Sequence, residues 1–249
     1  VSVPYFNKRS SKDFMWCIYV EETDDVVATG IINWISHNGT FNYGYCQYSG
    51  GHQINKKLYN QIPETDVRKG WWSGEDGKNT HLDDKYNAYL AKYSFPAYTS
   101  CKFNTYDGTL GCSTNANEIP LLRGEEMYLI KAEAMAKAGQ DGKSFLESFV
   151  KTYRDPSYTC NGDVQEAVYF QKRIELWGEG LIWYDVMRLN KGIDRRGGGF
   201  DATVVFDIKP GDPILLWRLP QTEINANVAI SDADNNETTP APKPVKDEE

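Results

Sequence analysis

Hydrophobic and polar positions change their spacing near residue 119. Before that point few stretches keep a helical period. Residues 13–20 alternate loosely and fit a strand or a helix equally well. Residues 23–35 mix β-branched residues with Gly30, residues 41–51 form a Tyr- and Gly-rich turn region, and residues 55–61 carry one or two helical turns closed by Pro63. A segment of this kind depends on a neighbouring scaffold for its shape. Residues 121–139 are different. They are rich in Leu, Met, Glu and Ala, which are strong helix formers, and Gly139 supplies a stop. Ala132, Ala134, Ala136 and Ala138 let a second helix approach closely. Residues 144–153 supply that helix, with Phe145, Leu146 and Phe149 on one side. The pair has the size of a tetratricopeptide-like hairpin, although one hairpin is not an array. A third helical stretch covers residues 163–189, with Asp163 as N-cap and Val168, Ile174, Trp177 and Leu181 as apolar positions. Gly178 and Gly180 fall within it, which predicts a kink or two helices. Residues 195–199 read as a flexible loop, and residues 204–206 and 214–219 as short extended runs. The pattern therefore predicts a mainly α fold with an irregular lobe over 1–118, a helical scaffold over 119–230 and a polar tail over 231–249, a tail too poor in apolar residues to order by itself.

Composition adds limits. The chain has 249 residues, 40% of them hydrophobic, enough for one sizeable core or a core with a satellite lobe. No run of about 18 apolar residues is present, so no membrane-spanning helix is predicted. The formal net charge is −8, and an acidic surface repels phosphate backbones, which argues against nucleic acid as a partner. Seven Trp, sixteen Tyr and ten Phe bring the aromatic content to 13%. Such rings fill cores, but they also stack on sugars and peptides. Cys17, Cys46, Cys101, Cys112 and Cys160 form no C-x-x-C pair, so neither a zinc site nor a redox motif is predicted. Cys101 and Cys112 flank a turn-rich stretch and either pair in an oxidising compartment or serve as small apolar residues. The opening Val-Ser-Val-Pro carries neither initiator Met nor lipobox cysteine, which leaves a removed leader or a fragment as the alternatives.

Catalytic patterns are missing from the sequence. The three histidines make no H-E-x-x-H, and neither G-x-S-x-G nor a phosphate-binding Gly-rich loop occurs. Asp232, Asp234 and Glu237 lack the Gly and the spacing of a calcium loop. The sequence thus points to no cofactor and no metal. Glu175 and Glu179 lie four apart and would share a helix face, the one constellation with glycosidase potential. Lys172, Arg173 and Arg188 are near enough in sequence to neutralise them, so ion pairing in the scaffold is the expected role.

Four segments in order carry a resemblance. Leu58-Tyr59 with Pro63, Asp66 and Arg68 is one. Arg123-Gly-Glu-Glu126-Met-Tyr-Leu-Ile-Lys-Ala-Glu133-Ala is the second. Arg173-Ile-Glu175-Leu-Trp-Gly-Glu179-Gly-Leu-Ile-Trp-Tyr-Asp185-Val-Met-Arg188 is the third, and Leu219-Pro220 with Glu223 and Asn227 is the fourth. Together they resemble the SusD/RagB family over roughly residues 55–230. Gly178 and Ile182 depart from the family pattern, and Ile182 stands where the family often has Arg. The family chain is about twice as long, so the resemblance identifies this chain as a C-terminal portion. It implies a SusD-like fold and recognition of an oligo- or polysaccharide at the cell surface, with peptide binding or protein docking as the alternative and a glycoside hydrolase as a remote one. It also implies an outer-membrane lipoprotein whose lipid anchor and N-terminal half lie outside this chain, and a TonB-dependent outer-membrane transporter as partner.

Arg123, Glu126, Glu133, Glu175, Glu179, Asp185 and Arg188 are charges embedded among apolar helix positions, which is tolerated when they are paired. They are read as scaffold. Ligand contacts are expected instead in the loops before residue 100, from Trp34, Asn38, Asn42, Tyr43, Tyr48 and Trp71. Trp72 and Tyr45 are expected to fill the lobe core, and Trp177, Trp183 and Tyr184 the scaffold core.

Overall fold

A computed structural model describes residues 12–28 and 33–247. The chain divides into two compact units, Val1–Gly180 and Leu181–Glu249. In the first, helices α1 (Asp25–Ala28), α2 (Trp34–Asn38), α3 (Tyr45–Tyr48), α4 (Lys56–Asn60) and α5 (Asp84–Lys92) are short pieces separated by loops, followed by α6 (Gly124–Lys137), α7 (Gly142–Tyr153) and α8 (Val164–Glu175). Strands β1 (Phe14–Ile18) and β2 (Ile119–Arg123) pair antiparallel, with Phe14 opposite Arg123 and Ile18 opposite Ile119.

Helices α6, α7 and α8 pack around Leu129, Ala132, Leu146, Phe149, Val150, Cys160 and Val168. Burial of each large side chain there stabilises the fold by roughly 1.5–3 kcal/mol. Helix α6 begins with Glu125 and Glu126, whose charges suit the positive end of the helix dipole, and stops before Gly139, which takes φ +72°. Asp141 then caps α7 by accepting from Ser144 N at 2.9 Å, and Asp163 caps α8 by accepting from Glu166 N at 3.0 Å. The expected start of the first long helix at residue 121 is corrected: residues 119–123 are extended because their backbone pairs with β1, and the helix begins at Gly124. Helix α8 ends at Glu175, and the chain then passes through left-handed Gly178 (φ +77°) and Gly180 (φ +79°), so two helices replace one, as the glycines predict.

The loop-rich part owes its order to residues 98–103. Ile54 N donates to Tyr98 O, Ser73 N to Thr99 O, Ser100 N to His52 O and Cys101 N to Trp71 O, at 2.7–3.1 Å. These bonds satisfy buried backbone without a sheet. Phe41, Leu82, Tyr86, Tyr89, Leu90, Phe95 and Cys101 form one core, while Ile54, Leu58, Ile62, Trp71 and Trp72 form another that includes Ile174 of α8. All five cysteines are unbridged.

The second unit holds α9 (Ile182–Arg188), a two-residue pairing of β3 (Ile193–Asp194) with β4 (Asp207–Ile208), and α10 (Gln221–Ala226). The extended runs expected at 204–206 and 214–219 are partly replaced by single 3-10 turns at Ala202–Val204 and Pro213–Leu215, each capped by an Asp two residues before the N–H it accepts from. Tyr184, expected in the core, is 69% exposed. Among the described residues no helix is long and apolar enough to cross a membrane.

Candidate functional site

Two clusters concentrate the polar and aromatic chemistry of the first unit. The first is a closed charge network. The Arg68 guanidinium grips Asp66 through Nε (3.0 Å) and Nη2 (2.6 Å), and reaches Glu175 Oε2 with Nη1 at 3.3 Å. Arg154 donates to both Glu175 oxygens at 2.8 and 3.0 Å and to Glu125 at 3.0 Å. Arg123 donates to both Glu179 oxygens at 2.8 and 3.0 Å and sits 3.3 Å from Glu175 Oε1. Lys102 Nζ donates to Glu179 Oε1 at 2.6 Å and to the carbonyls of Glu175 and Trp177 at 2.8 and 2.9 Å, closing the C-terminal end of α8. Four cations thus face the carboxylates Asp66, Glu125, Glu175 and Glu179, with Asp13 at the margin.

The energetics of this network follow from its burial. Desolvation pushes the Glu175 carboxyl up, but Arg154, Arg123 and Arg68 outweigh it and hold the group well below the usual carboxylate range. Burial lowers the Lys102 ammonium to about 8 against the opposing pull of Glu179. Burial also works against Arg123 and Arg154, yet their carboxylate partners leave both above the ordinary guanidinium value. The expected pairing of Glu175 and Glu179 is present, but with cations remote in sequence rather than with Lys172, Arg173 or Arg188. Arg188 bridges Asp185 instead, at 2.6 Å, and Glu133 takes Gln165 at 2.8 Å and Lys137 at 3.1 Å. Glu126 lies in the first turn of α6. Since the Glu175 and Glu179 side chains are 0% and 2% exposed, the pair faces no cleft in which a polymer could be cut.

The second cluster is open to solvent. Residues 43–48 present Tyr43, Tyr45 and Tyr48, which are 44%, 46% and 69% exposed. Tyr43 and Tyr48 meet edge to face, their centroids 5.5 Å apart and their planes at 86°. Tyr45 lies flat on His37, 4.9 Å between centroids and 22° between planes. Tyr93, just past α5, completes the patch: it stands 4.6 Å from Tyr89 and close enough to Tyr48 to help raise that hydroxyl above its usual value, behind the larger effect of Tyr43. Backbone closure holds α2 and α3 together here. Ser36 Oγ accepts from Tyr45 N at 3.2 Å, and Gly44 lies so close to Ser36 that a Cβ there would collide with its Cα at 2.9 Å.

The six ligand candidates from the sequence separate. Tyr43 and Tyr48 share the exposed patch. Trp34 is half-buried against Phe103, edge to face at 5.1 Å. Asn38 turns back to donate to Trp34 O at 2.9 Å. Asn42 is wholly buried and donates to Asn115 Oδ1 at 3.0 Å. Trp71 is buried beside Trp72 and under the Lys102 ammonium. Tyr45, expected in the core, belongs to the patch, whereas Trp72 is core as expected. Tyr93 and His37, which join the exposed patch, were not among the six candidates. The spacing of Tyr86, Tyr89 and Tyr93, one helical face, was the available signal for the first.

Comparison with known proteins gives a consistent fold. The SusD family matches residues 33–238 of this chain. Among solved structures, a SusD superfamily protein from Bacteroides vulgatus aligns with a TM-score of 0.66 at 22% identity, over 92% of this chain and 46% of its own. Another from Bacteroides thetaiotaomicron aligns at 0.64 and 20% identity, over 94% and 50%. Surface glycan-binding protein A from Bacteroides thetaiotaomicron aligns at 0.53 and 14%, over 91% and 52%. The chain spans about half the length of the structures it matches. No curated protein matches it.

Proposed function

The chain belongs to the SusD family, and from that premise we propose that it is the C-terminal portion of a non-catalytic, cell-surface glycan-binding protein that serves an outer-membrane importer. The observation that carries this reading is the exposed group of Tyr43, Tyr45, Tyr48 and Tyr93, set beside His37 on loops braced by a rigid scaffold. A pyranose presents an apolar C–H face that packs on such rings, while its hydroxyls need polar groups at the margin. A tyrosine offers both. The sealed Glu175–Glu179 network leaves these carboxylates a structural role and speaks against the hydrolase alternative. In this reading the partner that receives the glycan is a TonB-dependent outer-membrane transporter, and the lipid anchor and remaining half of the protein precede this chain. One of the matched solved structures is itself named for surface glycan binding, which fits.

Affinity electrophoresis and isothermal titration of the full-length protein against neutral polysaccharides test the reading. Tyr43→Ala and Tyr48→Ala are each expected to weaken binding about three- to tenfold, the loss of one stacking contact. Unchanged affinity in the double variant would remove this patch as the site.

A further inference from the structure

Beneath the exposed tyrosines lie two buried polar atoms whose hydrogen bonds are poorly formed. Gln47 Oε1 and the Tyr89 hydroxyl are both sealed from solvent without a well-formed hydrogen bond, in residues only 8% and 7% exposed. Buried polar groups are satisfied in the great majority of native structures, and an orphan costs about 1–3 kcal/mol, so two in one place call for an explanation. These two are neighbours: Gln47 and Tyr93 both stand within loose hydrogen-bonding reach of the Tyr89 hydroxyl, neither bond being well aligned. Both belong to elements that build the patch, Gln47 to α3 between Tyr45 and Tyr48, and Tyr89 to α5 one turn before Tyr93. One side of Tyr89 is covered by an exposed ring. Tyr93 is 40% exposed, its ring 4.6 Å from that of Tyr89, and exposed side chains change rotamer on the picosecond-to-nanosecond scale.

We propose that Gln47 and Tyr89 are the hydroxyl-reading groups of the glycan site, uncovered when Tyr93 swings aside as the ligand settles on Tyr43 and Tyr48. This rests on the glycan-binding reading above and assigns it the groups that distinguish one sugar from another. The chemistry is matched. An amide oxygen only accepts, a phenol both donates and accepts, and a sugar hydroxyl between them can donate to Gln47 and accept from Tyr89. The groups named in the patch are tyrosine, glutamine and histidine side chains, with Lys92 over the Tyr93 ring at 5.0 Å, so the ligand class is a neutral oligosaccharide. Stacking supplies sequence-tolerant affinity, and a site built to bond a hydroxyl rejects an analogue that lacks it.

The test is isothermal titration of the full-length protein with laminarihexaose, maltohexaose and cellohexaose, followed by monodeoxy derivatives of whichever binds tightest. Tyr89→Phe deletes one oxygen and keeps the ring, and Gln47→Met keeps the length. Each is expected to weaken binding roughly three- to tenfold and to abolish the preference for the parent sugar over one particular deoxy derivative, with the melting temperature unchanged or raised. Weaker binding with that preference intact would mark the residues as structural and overturn the inference. Wild-type behaviour of both variants while Tyr48→Ala loses affinity would also overturn it, yet leave the glycan site standing. Failure of the wild-type protein to bind any of the three oligosaccharides would count against both readings.

Discussion

Glu175 meets three guanidinium groups in a space closed to water. Removing its charge strands part of that cationic group, and breaking a buried ion pair from one side costs about 3–5 kcal/mol. Glu175→Gln is therefore expected to lower the urea midpoint sharply at neutral pH while leaving the Tyr43–Tyr48 patch in place. A pH effect follows with a definite sign. The folded carboxyl titrates far below its ordinary 4.5, so on acidification the unfolded chain takes up the proton first. The contribution is fully present above about 4.5 and drains away as pH falls towards the folded value. Urea titrations at pH 7 and pH 4 should show stability dropping in the wild type and a flatter response in Glu175→Gln. The sequence already marked Glu175, Glu179 and Arg123 as charges needing partners. It did not identify Arg68, Lys102 and Arg154 as those partners, because ion pairs form by proximity in space and these three stand 107, 73 and 21 residues from Glu175 in the chain.

At the scale of elements, the α6–α7 hairpin depends on Gly142. A Cβ there would collide with the Ala132 carbonyl and stand 2.7 Å from Ala136 N, backbone atoms that cannot step aside. Gly142→Val is expected to destabilise the chain by more than about 2 kcal/mol, readable as a fall in melting temperature. Leu146→Ala, at a fully buried position of the same core, is expected to cost about 2–5 kcal/mol. The long helices were legible because propensity, caps and stop residues agree along α6, α7 and α8. Helix α5 was not: Tyr and Asn interrupt its nine residues, no side-chain cap marks its start, and the burial of Tyr86, Tyr89 and Leu90 fixes it. Strand β2 was read into the following helix for a related reason. Its extended form comes from pairing with β1, a partner far away in the chain.

For the molecule as a whole, exposure is the informative quantity. Met15 and Trp16 of β1 are 62% and 61% exposed, and in the second unit Tyr184 and Trp217 are 69% and 78% exposed, with Trp183 edge-on to Trp217 at 6.3 Å. Apolar surface of this extent favours association. The 249-residue chain purified by itself is expected to bind a hydrophobic dye and to elute earlier than a monomer in size-exclusion chromatography, checked by light scattering. Sequence by itself determined the helical scaffold, the family and the need to neutralise its embedded charges, because each is written in local spacing or in short runs of residues. Tertiary structure decided which rings are open. Tyr43, Trp71 and Trp72 sit in equally irregular stretches, and whether a ring fills a core or faces water depends on what residues 98–103 and α8 bring against it. That is why the exposed tyrosines, with Gln47 and Tyr89 beneath them, emerged only from the fold.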